Sequence, residues 1–85
     1  LNMNPIHQNR RALNATEIVT QLSQLNGTHP DGWKLIDGSI ERTFRFANFH
    51  ETMAFVNAVA WVAHREDHHP DVAFGYNRCT LRFNT

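Results

Sequence analysis

The segment from His64 to Pro70 concentrates side chains that could exchange protons near neutral pH. It carries three histidines and two carboxylates. Imidazole has an unperturbed pKa of about 6.5, so small changes in its surroundings move its charge across the cellular pH range. Pro70 disfavours helical backbone in the residue before it, so a helix should end ahead of the His68-His69 pair. The pattern therefore indicates a proton-handling site on a rigid loop.

A metal site is one alternative for this segment. His64 and His68 are four residues apart, which would place both imidazoles on one helical face. The zinc-protease pattern requires a glutamate directly after the first histidine, and Arg65 occupies that position here. The spacing is therefore a weak metal signal, and an adventitious or regulatory metal site formed by His64 and His68, with or without His69, stays open as an alternative.

Nucleophilic catalysis has less support in this sequence. The only cysteine, Cys79, lies in an alternating apolar pattern that predicts a small core residue, and no Gly-x-Ser-x-Gly turn presents a serine. General acid–base catalysis remains, with His68 and His69 as its candidates. Histidines are also favoured electrostatically at the C-terminal end of a helix. We prefer this role at the helix end for His64. Composition and spacing alone would favour the same role for His68 and His69.

Helical periodicity predicts two helices. After an N-terminal arm over residues 1–13, which we expect to be flexible, the first helix runs from residue 14 to a stop at Asn26-Gly27. The second is capped by Asn48 and extends to about Glu66. Its predicted sheet-facing side consists of Met53, Val56, Val59, Ala60 and Ala63.

Strand patterns predict two hairpin-like pairs. Residues 33–36 and 39–46 flank Asp37-Gly38, a dipeptide typical of two-residue hairpin loops. Residues 72–76 and 78–83 follow the second helix and would join near Asn77, with Cys79, Leu81 and Phe83 facing the core. The predicted order is helix, two strands, helix, two strands.

Length and charge narrow the function classes. The chain has 85 residues, which is one small domain with a marginal core, so self-association is expected. Eight basic and eight acidic residues give no net charge, which argues against direct binding of nucleic acid. No apolar run reaches the length of a membrane span, and no secretory signal is evident, so we expect a cytoplasmic protein.

From Gly32-Trp33 to Thr85 the sequence resembles the pterin-4a-carbinolamine dehydratases, also called 4a-hydroxytetrahydrobiopterin dehydratases. The resemblance rests on the glycine-tryptophan entry to a strand, on the aromatic lead-in Phe44–Phe49, and on the ordered spacing of His64, His68-His69-Pro70 and Tyr76. It implies an α+β fold in which helices pack on one face of a four-stranded antiparallel sheet. Residues 14–85 would form the dehydratase-like domain.

The resemblance also implies a reaction and its residues. Such enzymes remove water from 4a-hydroxytetrahydropterin and give quinonoid dihydropterin for tetrahydrobiopterin recycling, without a metal or a redox cofactor. By position, His68 and His69 would be the acid–base pair, and Pro70 would shape their loop. Asp67 would offer its backbone to the polar pterin edge, with a solvated surface carboxylate at the helix end as an equal alternative. Trp33 would line the pocket, with a role as a core anchor as an equal alternative.

The family pattern continues past Thr85. A third active-site histidine would be the next residue, and a C-terminal helix would follow, so the domain is expected to be incomplete at its C-terminus and less active as it stands. The resemblance further implies a homodimer or homotetramer and contact with an aromatic amino acid hydroxylase or a transcription factor. A non-catalytic dimerisation or transcriptional coactivator module, in which case the protein would also be nuclear, is the alternative function.

Overall fold

The computed structural model describes residues 14–23 and 32–84. Residues 14–23 are helical and are called α1. The elements that follow are β1 (Lys34–Ile36), β2 (Ser39–Arg45), α2 (Phe49–Arg65), β3 (Asp71–Phe74) and β4 (Arg78–Asn84). The predicted N-terminal arm and the predicted helix stop at Asn26-Gly27 lie outside the described residues.

The four strands form one antiparallel sheet in the order β1-β2-β4-β3. β2 and β4 are the central pair, with Phe44 opposite Cys79 and Ile40 opposite Phe83. Residues from α1, α2 and the two central strands share one hydrophobic core, so both helices cover the same face of the sheet. The α+β prediction with helices on one face is confirmed.

The β1–β2 hairpin follows from its two loop residues. Asp37 has φ of 48° and Gly38 has φ of 78°, so both adopt left-handed backbone. A two-residue loop with positive φ at both positions matches the twist of antiparallel strands, and aspartate followed by glycine tolerates it well. The hairpin predicted from this dipeptide is therefore confirmed.

The start of α2 is fixed by a reciprocal cap. The Asn48 side chain accepts a hydrogen bond from the Glu51 backbone N–H at 2.9 Å, and Glu51 Oε1 accepts one from the Ala47 N–H at 3.0 Å. Backbone donors at a helix N-terminus have no partner within the helix, and these side chains satisfy them. The cap predicted from the sequence is confirmed.

The face that α2 turns to the sheet differs from the prediction. Val59 and Ala63 are buried and Val56 packs against the core, as predicted, but Ala60 is exposed and Met53 is only half-buried. The Phe55 ring instead packs on Phe44 and Phe46, with ring centroids 4.8 and 5.0 Å apart. Because an aromatic side chain buries more apolar area than methionine or alanine, the helix is turned to place Phe55 inward. The buried positions are Thr52, Phe55, Val59, Val62 and Ala63.

The opposite face of the sheet is polar along β2. Glu41, Thr43 and Arg45 lie on it, and Thr43 shares a 2.8 Å hydroxyl contact with Thr80 on β4. Within residues 14–23 and 32–84 no helix covers this face. Neither helix in the described part of the chain is long and apolar enough to cross a membrane.

Thr52 links the start of α2 to the β3–β4 turn, and its replacement tests that link. The side chain is fully buried, and its hydroxyl lies 2.9 Å from the carbonyl oxygens of both Asn48 and Tyr76. Thr52→Val keeps the shape but removes the donor, so we expect a loss of about 1–2 kcal/mol in the free energy of unfolding by urea denaturation. Thr43→Val, on the open face, should change it by less than about 0.5 kcal/mol. Equal effects of the two variants would contradict this assignment.

The buried Cys79 thiol makes the stability of the folded state depend on pH in the alkaline range. Its burial raises the pKa from 9.0 to about 11, since a thiolate is poorly solvated inside the sheet. The folded state therefore holds the thiol proton more tightly than the unfolded state, and the resulting stabilisation is complete below pH 9 and is lost between pH 9 and about 11. Urea midpoints measured across that window should fall more steeply for the parent protein than for Cys79→Ala. Parallel slopes would contradict the burial of a protonated thiol.

Candidate active site

The candidate site begins where α2 ends, in a turn that reverses the chain. Glu66 caps α2 and still has right-handed helical backbone angles, whereas Asp67 has φ of 52° in the left-handed region. The Asp67 N–H donates to the His64 carbonyl at 3.3 Å, and the His68 N–H donates to the Ala63 carbonyl at 3.1 Å. These two bonds form the Schellman arrangement that satisfies the last carbonyls of a helix. The predicted helix end ahead of His68-His69 is confirmed.

The side chain of His68 lies against the core. Its imidazole stacks on the ring of Phe83, with centroids 5.2 Å apart and planes 16° from parallel. Phe83 belongs to β4 and is 1% exposed, whereas His68 is half-buried. The separation of the centroids at this small angle corresponds to an offset stack, a preferred geometry for aromatic pairs.

His69 and Pro70 border a different part of the surface. Both residues line a groove of about 290 Å³ between α2 and β3. His69 supplies the titratable group of this groove, and its other walls are apolar: Val56, Val59, Ala60, Ala63, Val72 and Phe74. The imidazole of His69 is exposed, so solvent reaches it.

Trp33 occupies an anchoring position beside α1. Its indole Nε1 donates to Thr20 Oγ1 at 3.1 Å, and its ring lies 5.9 Å from Phe44 and 5.8 Å from Phe83 between centroids. Trp33 also borders a cleft of about 300 Å³ together with Thr16, Glu17, Thr20 and Gln21. These contacts give Trp33 the anchoring role, while its role in substrate binding stays a prediction.

Four of the five predicted site residues thus fall into two pairs, one of which contacts the ring of Phe83. Trp33 and His68 both contact Phe83, while His69 and Pro70 line the groove of about 290 Å³ that does not include Trp33. Asp67 is exposed and sets the turn between His68 and the helix. Sequence reasoning assigned Phe83 only to the core. Its alternation in β4 indicates burial, but nothing local pairs it with a histidine fifteen positions earlier.

His64 stands apart from the pair. It is exposed in the last turn of α2, where a basic side chain is favoured by the helix dipole. In the part of the chain that the structure describes, no three side chains of the metal-binding types histidine, cysteine, aspartate and glutamate lie together. The described residues therefore lend no support to the alternative of a metal site at His64, His68 and His69.

The family model for pterin 4 alpha carbinolamine dehydratase matches residues 11–85 of this chain. Bacterial relatives that carry the name "Putative pterin-4-alpha-carbinolamine dehydratase" are similar over most of the sequence. One from Nitrosomonas eutropha is 52% identical over 71 residues, and one from Paracidovorax citrulli is 53% identical over 79 residues. These alignments cover 84% and 89% of this chain.

The relatives are longer than this chain. The aligned part is 57% of the Nitrosomonas eutropha protein and 65% of the Paracidovorax citrulli protein. A third relative, from Chromobacterium violaceum, is 53% identical over 64 residues, which are 75% of this chain and 58% of that protein. The chain thus spans less than two thirds of the length of each of these curated relatives.

Replacing Asp67 tests whether the left-handed turn holds the histidine pair. A β-branched residue is strained at this backbone conformation, so Asp67→Val should lower the free energy of unfolding by about 1–2 kcal/mol and shift the NMR signals of the His68 and His69 imidazoles. Asp67→Gly fits the turn without strain and should leave the imidazole signals in place.

Asp37→Val provides the matched control for that experiment. Asp37 has a similar φ of 48° but lies in the β1–β2 loop, so its replacement should lower stability without moving the histidine signals. The assignment would fail if Asp37→Val and Asp67→Val disturbed the imidazoles equally.

Proposed function

This chain belongs to the pterin-4a-carbinolamine dehydratase family, and we propose that it catalyses the loss of water from 4a-hydroxytetrahydropterin to give quinonoid dihydropterin, as a step in tetrahydrobiopterin recycling. One observation carries the proposal: the family model matches residues 11–85, a range that includes the His68-His69-Pro70 segment. The names of the relatives support the same reaction.

The reaction requires two proton transfers, and the proposal assigns them to the histidine pair. The bond between C4a and the hydroxyl oxygen breaks as that oxygen takes up a proton and leaves as water. The proton on N5 is removed, and its bonding electrons form the double bond between N5 and C4a. An imidazolium can supply the first proton and a neutral imidazole can accept the second, so His68 and His69 suffice for the proton balance.

The geometry of the turn supports this use of two adjacent histidines. The His68 backbone is tied to Ala63, and His69 precedes Pro70, so neither residue sits in a freely rotating segment. The His68 ring is half-buried against Phe83, while the His69 ring is exposed on the groove. Because the two imidazoles have different surroundings, one can serve as the acid and the other as the base.

Three further residues complete the proposed site. Trp33 would contact the pterin, the backbone of Asp67 would meet its polar edge, and Pro70 would hold the loop. Support for Trp33 is its contact with Phe83, the same ring on which His68 stacks. Support for Asp67 and Pro70 is that they directly flank the two histidines in the turn.

A second candidate is a dimerisation or coactivator-type binding module that needs no catalysis. The observation in its favour is exposed aromatic and apolar surface: Trp61 on α2 is 67% exposed, and Val72 and Phe74 on the edge strand β3 are 41% and 45% exposed. Such surface suits a homodimer, a homotetramer or a helical partner such as a transcription-factor segment. Co-purification of a partner by a protein without dehydratase activity would favour this candidate.

Stopped-flow absorbance with enzymatically generated 4a-hydroxytetrahydropterin tests the proposed reaction. The protein should accelerate dehydration, and His69→Ala should lower that rate by roughly 10²-fold or more, since general acid–base catalysis contributes on the order of 10²–10⁴. His50→Ala is the control, because His50 is an exposed histidine in the first turn of α2, at the far end of the helix from the pair. A rate unchanged by His69→Ala would remove His69 from the mechanism.

A further inference from the structure

The stack between His68 and Phe83 joins a titratable side chain to a buried ring in the centre of the sheet. Phe83 is 1% exposed and lies in β4, a central strand that pairs with β2 and β3. The indole of Trp33 packs against it at 5.8 Å between ring centroids. A fully buried ring enclosed in this way keeps one rotamer, so it presents a fixed plane to the imidazole.

The contact orients the imidazole without using its nitrogen atoms. The backbone of His68 is held by the bond from its N–H to the Ala63 carbonyl, which fixes the Cα but leaves the side-chain torsions to be set by packing. Among residues 14–23 and 32–84, the packing partner found for this ring is Phe83. Orientation through the ring face leaves both Nδ1 and Nε2 able to exchange protons.

The stack is also compatible with both charge states of His68. A neutral imidazole packs on a phenyl ring by dispersion, and an imidazolium is attracted by the negative face of the same ring when it lies within about 6 Å. The observed separation of 5.2 Å meets that condition. The ring plane can therefore be held unchanged while a proton is gained or lost.

From these observations we propose that Phe83 is a positioning residue for His68, holding the imidazole plane by offset stacking so that its nitrogens face the reacting pterin. This inference rests on the proposed dehydratase function, in which His68 exchanges a proton with the substrate. Phe83 itself exchanges neither of the two protons that are transferred in the proposed reaction. Its contribution lies in keeping the imidazole in one orientation, and small misplacements of a catalytic group lower rates severely.

The test compares two truncations in the same core. Phe83→Leu removes the stacked ring. Phe44→Leu is the matched control, since Phe44 is also fully buried and also contacts Trp33, but its ring packs at a tilt against Phe55 rather than on His68. We expect Phe83→Leu to lower kcat roughly 10-fold with KM changed less than about 2-fold, and Phe44→Leu to leave kcat within about 2-fold. Equal losses in kcat would overturn the proposal, because both variants would then act through core stability.

NMR supplies a readout that does not depend on activity. In the parent protein the carbon-bound protons of the His68 imidazole should be shifted upfield by the Phe83 ring current, relative to those of His50. The shift should vanish in Phe83→Leu and persist in Phe44→Leu. Absence of an upfield shift in the parent protein would overturn the proposal even if Phe83→Leu does not fold.

Failure of the positioning role and failure of the proposed function give different results. If the parent protein does not accelerate dehydration, the proposed function fails and so does the role of Phe83 in it. If the parent protein accelerates dehydration but His68→Ala leaves the rate unchanged, the reaction stands, while His68 takes no part in it and the role of Phe83 fails. If His68→Ala slows the reaction but Phe83→Leu behaves like Phe44→Leu, the positioning role alone fails. If His68→Ala and Phe83→Leu both lower kcat and only Phe83→Leu removes the ring-current shift, the proposal stands.

Discussion

The left-handed backbone at Asp67 is the constraint on which the arrangement of the site depends. A helix that continued for one more turn would carry His68 and His69 along its axis and away from the sheet. With φ of 52° at Asp67, the chain instead turns back, its last carbonyls are satisfied by two backbone donors, and β3 can begin at Asp71. The same turn therefore ends a helix, starts an edge strand and fixes the pair of histidines between them.

Packing around Phe83 extends this local constraint into the rest of the fold. The ring receives His68 from the turn and Trp33 from the segment ahead of β1, so residues far apart in the chain meet on one side chain of a central strand. The indole in turn donates to Thr20 of α1. The orientation of His68 is consequently coupled to the core, whereas His69 faces a solvent-accessible groove. This contrast is the physical basis for giving the two imidazoles separate parts in the proposed dehydration.

Features governed by a few neighbouring residues could be predicted from the sequence. The Asp37-Gly38 loop, the Asn48 cap and the end of α2 before Pro70 each depend on backbone angles or hydrogen bonds within about five residues, and such signals are local. Burial of Phe83 followed from its alternation in a strand. Residue type and spacing likewise singled out His68 and His69 as groups able to exchange protons, but their role as an acid–base pair came from the family resemblance and stays a prediction.

Contacts between distant segments could be identified from the tertiary structure but not from the sequence. The rotation of α2 that buries Phe55 rather than Met53 is set by Phe44 and Phe46 across the sheet, and a helical period alone fits several rotations almost equally well. The stack of His68 on Phe83 likewise depends on where β4 passes beneath the turn. The sequence therefore determined which groups could exchange protons and where the chain turns. Long-range packing decided that His68 stacks on Phe83. The energy of such packing is shared among residues that no local sequence pattern connects.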